Sequence, residues 1–410
     1  MKILHTEFHR GWGGQASRVL MLSEELARRG HEVTIAAPPG QLTRRAAESA
    51  RTLPGLRVDD GFRFHPPARA LSFLRDAARL RHLVRDTGAD VVDVHGSQDA
   101  WVTALVRRTT GEPRRLVLTR HNTKRVRDSA ANRWLYRRID HLIVVDDSVL
   151  TGYEPFFRRG DLDRRAVTVI PSAYRTELFH EGIDGARVRA ELGAGPGDLV
   201  AGVAGRLVED KGHIHLMKAV VRLRGAGPRI ILAFAGLGPL ETSLRQSARD
   251  LGLAEDVKFL GFRTDIADVQ AAFDVSILPS VGCDASSAAL KEAMALGIPV
   301  IASDIGGART IVADGVTGRI VPPGDPAALA DALREAIDHP AEARARAVRA
   351  RADVALRFSV RRLADETLAA YARALEGHAA AGPAHDRTPA AAAPSTQPSR
   401  GREESKRTTA

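Results

Sequence analysis

The chain has 410 residues, more than one compact core usually holds and enough for two domains with additional segments. Hydrophobic residues make up 44% and charged residues 27%, which is ordinary for a globular protein and excludes wholesale disorder. Apolar runs such as 230–235 fall well short of the ~20 residues of a membrane-spanning helix. The net charge of +10 leaves nucleic acid, an anionic membrane or a phosphorylated substrate open as partners.

The first residues and the cysteine count bear on the compartment. Lys2 is followed by the polar His5, Thr6 and Glu7, which does not match a secretory leader. The single cysteine, Cys283, excludes an intrachain disulfide and fits a reducing compartment. We therefore expect a cytoplasmic protein, either free or peripheral on the cytoplasmic face of the membrane.

The first half of the chain alternates predicted strands and helices. A strand at 2–6, a glycine turn at 11–14 and a helix at 16–29 open the chain. Further predicted elements follow in this order: strand 31–36, helix 73–84, strand 91–94, strand 116–119 and strand 142–145. Strands that alternate with helices indicate βαβ units around a parallel sheet.

The same pattern restarts after residue 198. The predicted elements are strands at 199–204, 229–235, 257–260, 275–278 and 299–302, with helices at 215–225, 240–251 and 287–296. We therefore predict an α/β protein with two doubly wound, Rossmann-like domains that face each other across a cleft. The predicted division is 1–180, 181–359, an amphipathic final helix at 360–376 and a disordered Ala/Pro/Ser/Thr-rich tail at 377–410.

Two turns after predicted strands are suited to anions. Gly13 and Gly14 would let backbone N–H groups approach a phosphate at a helix N-terminus, although a plain tight turn would have the same residues. Because no acid ends the second strand, the turn does not predict a nicotinamide site. In the second half, the turn 205–212 carries Arg206 and Lys211. The planar guanidinium of an arginine and the compact ammonium of a lysine are together suited to binding a diphosphate. The alternative is neutralisation of both cations by the acids beside them.

The segment 278–299 is the most informative one. A strand ends at Pro279, a small-residue loop with Asp284 follows, and an apolar helix begins near Ser286 and Ser287. The free N–H groups of this helix would face the cleft and favour phosphate. Glu292 lies inside the apolar helix, where a carboxylate needs a hydrogen-bond partner such as a sugar hydroxyl. The alternative is that Glu292 turns to solvent beside Lys291.

The segment 114–138 has the highest density of positive charge. It contains eight arginines and Lys124 against the single acid Asp128. Such a run indicates either a solvated helix face or attraction to an anionic lipid surface or a phosphorylated acceptor. Apart from Trp134 and Tyr136 it has no interleaved aromatic residues, so we predict no nucleic-acid partner.

Metal-ligating patterns are weak in this sequence. Asp161 and Asp163 form a D-x-D triplet, but they lie in a predicted loop among arginines. His5 and His9 are four residues apart without sharing a helix, so their spacing does not make a zinc pair. We predict that the protein needs neither a metal nor another cofactor.

Several blocks together resemble the family 4 glycosyltransferases. They are the acid-x7-Glu block from Asp284 to Glu292 and the runs at 30–34, 205–212, 235–239 and 306–325, within a resemblance that covers about 1–375. The resemblance implies the GT-B fold and a retaining enzyme that uses a nucleotide sugar. It also implies an acceptor-side first domain, a donor-binding second domain and a final helix that packs back on the first domain. The implied acceptor is a glycolipid, a polysaccharide or a small molecule, in bacterial glycolipid or cell-surface polysaccharide synthesis.

The resemblance also implies roles for individual donor-site residues. Arg206 and Lys211 would hold the diphosphate, and Glu292 the ribose. Asp284 would contact the transferred sugar, and the turn at 13–14 would close over the phosphates.

On the acceptor side, the resemblance implies that His121 is the active-site histidine. His95 is implied as a second histidine of the cleft, and Lys124 is a candidate near the acceptor. A histidine at a strand end is otherwise often a structural residue, so that reading also stays open.

Three departures from the family pattern leave alternatives open. Asp284 stands where the family more often has Glu, Ser286 and its neighbours replace Gly-Phe-Gly, and Ser172-Ala173 replaces Asn-Gly. The first change bears on the sugar contact, and the second bears on the choice of donor. A non-catalytic nucleotide-sugar-binding protein and a sugar-nucleotide epimerase or hydrolase therefore remain alternative functions.

Overall fold

The structure is a computed structural model that describes residues 1–225, 227–282 and 284–377. The tail predicted at 377–410 lies outside the described residues except for Gly377.

The first half of the chain folds around a parallel sheet of seven strands in the order β3-β2-β1-β4-β5-β6-β7. The strands are β1 (Lys2–Thr6), β2 (Glu32–Ala36), β3 (Leu56–Asp59), β4 (Val91–Val94), β5 (Arg115–Arg120), β6 (His141–Val144) and β7 (Val167–Val169). The helices are α1 (Gly14–Arg28), α2 (Gln41–Ala50), α3 (Ala70–Thr87), α4 (Ser97–Thr110), α5 (Ala130–Tyr136) and α6 (Glu154–Arg158).

The second half folds around a parallel sheet of six strands in the order β10-β9-β8-β11-β12-β13. The strands are β8 (Leu199–Ala204), β9 (Ile230–Ala235), β10 (Val257–Gly261), β11 (Val275–Leu278), β12 (Val300–Ser303) and β13 (Arg319–Val321). The helices are α7 (Ala186–Leu192), α8 (His213–Leu223), α9 (Glu241–Asp250), α10 (Ile266–Ala271), α11 (Ala288–Ala295), α12 (Ala308–Ile311), α13 (Pro326–Asp338), α14 (Pro340–Arg357) and α15 (Val360–Glu376).

The central strands of both sheets are buried on both faces, as parallel sheets covered by helices require. Every residue of β4, β9 and β11 is buried; β9 is apolar throughout, whereas β4 contains Asp93 and β11 contains Ser276. The prediction of two doubly wound α/β domains is therefore confirmed. Chain order reverses between β1 and β4 in one sheet and between β8 and β11 in the other, and doubly wound sheets bind ligands at such points.

The strands β3, β7 and β13 were not predicted from the sequence. Each has three or four residues, lies at the edge of its sheet and is only partly buried. A short edge strand with one covered face has too few apolar residues to produce a recognisable pattern.

The last helix, α15, returns to the first sheet and packs against α1, β5 and β6. Its apolar side, including Leu363 and Ala370, joins the same core cluster as Val19 and Leu22 of α1. Arg115 ties its end by donating from Nε to the Ala374 carbonyl at 2.5 Å and from Nη2 to the Leu375 carbonyl at 3.2 Å. Among the described residues, no helix is both long enough and apolar enough to cross a membrane.

Candidate active site

The turn 205–212 lies at the switch point of the second sheet, directly after β8. Gly212 has a φ of 63°, and a Cβ there would lie 2.1 Å from the Pro279 carbonyl oxygen, so the turn packs tightly on the end of β11. Lys211 Nζ lies 2.5 Å from Asp284 Oδ2. Arg206 is exposed and has no carboxylate partner among the described residues. The turn therefore offers Arg206 as a cation without an ion pair among the described residues, and Lys211 as a cation that is paired with Asp284, the residue predicted to contact the transferred sugar.

The loop before α11 is held from behind by the residues that follow β12. A Cβ on Gly306, whose φ is 49°, would lie 2.1 Å from the Asp284 carbonyl oxygen. Ser287 caps α11 by accepting from the backbone N–H of Leu290 at 3.4 Å. Asp284, Ser286 and Ser287 thus lie together with Lys211 at one edge of the second sheet. The structure therefore brings Lys211 together with the small-residue loop before α11.

Glu292 lies on α11 and is partly buried rather than turned fully to solvent. Its Oε2 accepts a hydrogen bond from Gln270 Nε2 at 2.8 Å, and burial raises the pKa of its carboxyl to about 7. Gln270 is fully buried, and its Oε1 has no hydrogen-bond partner among the described residues. Sequence reasoning missed Gln270, because nothing in the pattern of α10 distinguishes an inward glutamine from an exposed one.

Lys291 is fully buried between the domains, although the sequence places it beside Glu292 in an apparently polar pair. Its Nζ donates to the Ser172 carbonyl at 2.7 Å and to Ser286 Oγ at 2.6 Å, and it lies 4.9 Å from the ring centroid of Phe358. Burial, with Arg18 nearby, lowers its pKa to about 7. Lys291 therefore links the loop before α11, through Ser286, to the segment that follows β7, through Ser172, and to the chain before α15, through Phe358.

The lowered pKa of Lys291 predicts a specific dependence of stability on pH. Between about pH 7 and its ordinary pKa of 10.5, the unfolded chain holds a proton that the folded chain has lost. The free energy of unfolding should therefore increase with pH in this window, with a slope of at most about 1.4 kcal/mol per pH unit from this group. Urea unfolding from about pH 7 to 9.5 measures it; Lys291→Met should remove this component, and the exposed Lys218→Met should keep it. Parallel curves for all three proteins would contradict the assignment.

Three histidines form a row at the carboxyl edge of the first sheet. His5 Nδ1 lies 3.0 Å from His95 Nε2, and His95 Nδ1 lies 3.0 Å from His121 Nε2. Burial lowers the pKa of His5 to about 3 and the pKa values of His95 and His121 well below their usual range. The row is therefore neutral at physiological pH, and each ring can donate to only one neighbour. The two predicted cleft histidines, His95 and His121, are in direct contact.

Asp93 lies beneath this row inside the buried strand β4. It accepts hydrogen bonds from Tyr371 of α15 at 2.6 Å and from Thr119 of β5 at 2.8 Å, and burial raises its pKa to about 7. Ligand atoms of His5, Asp93 and His95 lie within 4.8 Å of one another, a spacing that could hold a metal ion. The structure therefore places His5 with residues of another strand rather than with His9. Sequence spacing could not reveal this group, because His5 lies 90 residues before His95 in the chain.

The glycine turn leads into α1 next to the histidine row. Gly13 precedes the first helical residue, Gly14, and a Cβ on either would meet nothing within 4 Å. Gln15 Nε2 donates to Glu7 Oε2 at 2.6 Å and to the His95 carbonyl at 2.9 Å. Gln15 therefore anchors the turn to Glu7 and to the backbone of His95, and there is open space beside the backbone of Gly13 and Gly14.

The carboxyl edges of the two sheets meet, and this contact defines the cleft. Asp146, just after β6, accepts from Thr310 Oγ1 at 2.6 Å across the domains. The backbone N–H of Ser172, just after β7, donates to Ser286 Oγ at 3.4 Å. Ala285 of the donor loop is buried in the core cluster of the first domain. The predicted donor residues thus face the domain that carries the histidine row.

The basic segment 114–138 is partly neutralised in the folded protein. Arg133 and Arg159 both pair with Asp128, and Arg137 pairs with Asp161 at 2.6 Å. Asp161 is therefore a partner of arginines. Lys124 is exposed, and its backbone N–H donates to Asn122 Oδ1 at 3.1 Å.

Each half of the chain matches the model of a known protein family. The model of Glycosyltransferase Family 4 matches residues 12–178, and that of Glycosyl transferases group 1 matches residues 186–353. The chain is 30% identical over 355 residues to 2-deoxystreptamine N-acetyl-D-glucosaminyltransferase from Streptomyces fradiae, covering 79% of this chain and 82% of that protein. This chain belongs to the family 4 glycosyltransferases.

Three further relatives of this chain are matched over less than two thirds of their own length. The chain is 36% identical over 233 residues to D-inositol 3-phosphate glycosyltransferase from Stackebrandtia nassauensis, covering 54% of this chain and 51% of that protein. Two more curated relatives are covered over 62% and 64% of their own length.

The fold of this chain also matches solved structures. HepE from Anabaena, crystallised in complex with UDP, has a TM-score of 0.76 at 23% identity over 91% of this chain and 100% of that chain. This similarity confirms the predicted GT-B architecture.

Proposed function

We propose that this chain transfers a glycosyl group from a nucleoside diphosphate sugar to an acceptor hydroxyl with retention of configuration. The observation that carries the proposal is the contact of Lys211 with Asp284 at the switch point of the second sheet, in the turn that also holds Arg206 and just before the helix that holds Glu292. Support also comes from HepE, which was crystallised with UDP and with UDP-glucose. Family membership supports the same chemistry.

Each donor residue has a chemical task in this proposal. As the glycosidic bond breaks, negative charge grows on the departing diphosphate, and Arg206, Lys211 and the N-terminus of α11 would stabilise it. Glu292, held by Gln270, would accept from the ribose hydroxyls. Asp284 would accept from hydroxyls of the transferred sugar.

On the other side of the cleft, His121 would orient the donor sugar or the acceptor at the reacting carbon. His95 would set its ring orientation, since their nitrogens share one hydrogen bond. The open backbone at Gly13 and Gly14 would lie over the phosphates once the domains close.

The experiment that tests the proposal is a thermal-shift screen against nucleoside diphosphates and their sugars. A ligand at 100 times its Kd should add ~2.7 kcal/mol of stability. We expect a shift for one nucleotide family that is lost in Arg206→Ala and in Glu292→Ala but kept in the control Arg222→Ala, an exposed arginine of α8. With the binding nucleotide sugar, sugar should then appear on an added acceptor. Consumption of the donor without transfer would indicate a hydrolase or epimerase, and binding without consumption would indicate a sensor.

We also propose that the reaction needs no metal. Arg206, Lys211 and the helix N-terminus supply the positive charge that Mg²⁺ would otherwise provide. Transfer should continue at an unchanged rate after dialysis against EDTA. A loss of activity that Zn²⁺ or Mg²⁺ restores would contradict this and would direct attention to His5, Asp93 and His95.

The proposal extends to the class of acceptor and to the cellular location of the enzyme. We propose a glycolipid, polysaccharide or small-molecule acceptor, in glycolipid or cell-surface polysaccharide synthesis, and a cytoplasmic enzyme that can associate with an anionic membrane surface. Lys124, Arg125 and Arg127 support this association because they are exposed and have no ion pair among the described residues.

A further inference from the structure

A basic cavity lies on the first domain, next to the histidine row but outside the residues assigned above. It has a volume of about 640 Å³ and is lined by His9, Arg10, Arg63, His65, Arg69 and Gln98, together with one phenylalanine. None of the lining residues is acidic. The cavity is wide open to solvent, and it gathers positive charge at one place on the surface.

The three arginines of the basic cavity are available for a ligand. Among the described residues, Arg10 and Arg63 have no ion pair, and Arg69 Nη1 contacts only His65 Nε2 at 3.3 Å. Glu7 lies nearby, but its carboxylate accepts from the backbone N–H and Nδ1 of His9, at 2.8 and 2.9 Å, and from Gln15. The Glu7 carboxylate is thus already hydrogen-bonded, and it forms no ion pair with any of the three arginines.

The backbone that presents Arg63 and His65 is held in an unfavourable conformation. Phe64 has a φ of 46°, which is rare for a residue with a bulky side chain, and it is fully buried. The buried carboxylate of Asp76 accepts from the backbone N–H groups of Arg63 and Phe64, at 3.2 and 2.7 Å, and Phe62 stacks on Phe64 at 4.8 Å. Strain that is held in place by surrounding contacts is typical of ligand sites. The loop is built so that Phe62 and Phe64 point inward and the basic side chains between and after them line the cavity.

The position of the basic cavity connects it to the proposed reaction. His9 and Arg10 follow the carboxyl end of β1, and Gln98 lies in the first turn of α4, three residues after His95. Gln15 links Glu7, which holds His9, to the carbonyl of His95. The cavity therefore lies in the first domain, at the carboxyl edge of the sheet that carries the histidine row.

We propose that the basic cavity binds a phosphoryl group on the acceptor, so that the enzyme glycosylates a phosphorylated substrate. Arginine forks match phosphate oxygens in a bidentate geometry, and three of them around one cavity distinguish a phosphorylated acceptor from a neutral one. The inference rests on the proposed transfer function and names its acceptor class. The phosphoryl group can belong to a soluble sugar or polyol phosphate or to a phospholipid headgroup.

The test measures binding of defined probes to the full chain by calorimetry, with nucleotide binding measured on the same samples. Glycerol 3-phosphate should bind and glycerol should not. The double variant Arg63→Gln/Arg69→Gln should weaken phosphate binding by roughly tenfold or more, while Arg81→Gln, an exposed arginine of α3, leaves it unchanged. In a second arm, vesicles of phosphatidic acid in phosphatidylcholine should pellet the wild-type chain more than the double variant if the source is a lipid headgroup.

The outcomes separate this inference from the proposed function. Nucleotide binding that persists in the double variant while phosphate binding is lost supports the inference, from whichever source the phosphate comes. Equal phosphate binding and equal pelleting in wild type and double variant, or neither probe binding, overturns it. Failure of the wild-type chain to bind any nucleotide would instead contradict the proposed function.

Discussion

Replacing Lys211 by Met is expected to lower kcat about 10²–10³-fold, because it removes one fixed positive charge from the departing diphosphate, a loss of ~2.7–4 kcal/mol of transition-state stabilisation. The ammonium group is already positioned, since it lies 2.5 Å from Asp284 and both side chains are largely buried. Preorganisation is what makes such a charge effective, as it need not be reoriented during the reaction. Steady-state kinetics with the nucleotide sugar found in the thermal-shift screen measure the effect.

Two further variants make the Lys211 result interpretable. Lys218→Met removes an exposed lysine from the same part of the domain and should leave kcat unchanged. Asp284→Asn should keep affinity for the nucleoside diphosphate but reduce the additional affinity contributed by the sugar. A Lys211→Met enzyme with kcat within about threefold of wild type would show that the lysine pairs with Asp284 for stability alone.

Replacing Asp93 by Ala is expected to destabilise the protein by about 2–6 kcal/mol. It orphans two buried hydroxyl donors, those of Tyr371 and Thr119, and each such donor costs about 1–3 kcal/mol. It also removes the carboxylate that stabilises the buried guanidinium of Arg18. Urea unfolding at about pH 8, above the raised pKa of Asp93, measures the change in the free energy of unfolding.

The Asp93 effect has internal controls. Asp86→Ala, at an exposed position of α3, should change stability little. Asp93→Ala combined with Tyr371→Phe should lose less than the sum of the two single variants, since phenylalanine has no donor to orphan. Strict additivity would indicate that the hydrogen bond between the two side chains contributes nothing to stability.

The Asp93 contacts show how the last helix supports the edge of the first sheet that carries the histidine row. Tyr371 comes from α15, almost 280 residues after Asp93, and Asp93 lies within 3.9 Å of both His5 and His95. The position of His121 therefore depends on side chains from β1, β4 and the C-terminal helix. This gives α15 a role in organising the first domain in addition to covering it.

Much of the fold could be predicted because its signals are local. The sequence alone predicts the strands β4, β8, β9 and β11, in which apolar residues predominate, and the glycine turns between strands and helices. The family motif from Asp284 to Glu292 could be recognised because its residues are close together in the chain. Short edge strands such as β13 were missed, since three half-covered residues carry almost no pattern.

The candidate site was predictable only where its residues share a segment. Arg206 and Lys211 lie in one turn, and Asp284, Ser286 and Glu292 lie in one loop and helix. The roles assigned to them stay predictions, but their grouping follows directly from chain proximity and strand order.

The alternation of elements, the family and the two segments proposed as the donor side can all be recognised in the sequence, because each depends on neighbouring residues. Which distant side chains share a buried space depends instead on how the sheets and helices pack. The row of His5, His95 and His121, the burial of Lys291 between the domains and the strained loop at Phe64 all belong to this second class. Hydrogen bonding and desolvation act over a few ångströms in space, so residues far apart in the chain acquire these properties only once the sheets and helices have packed.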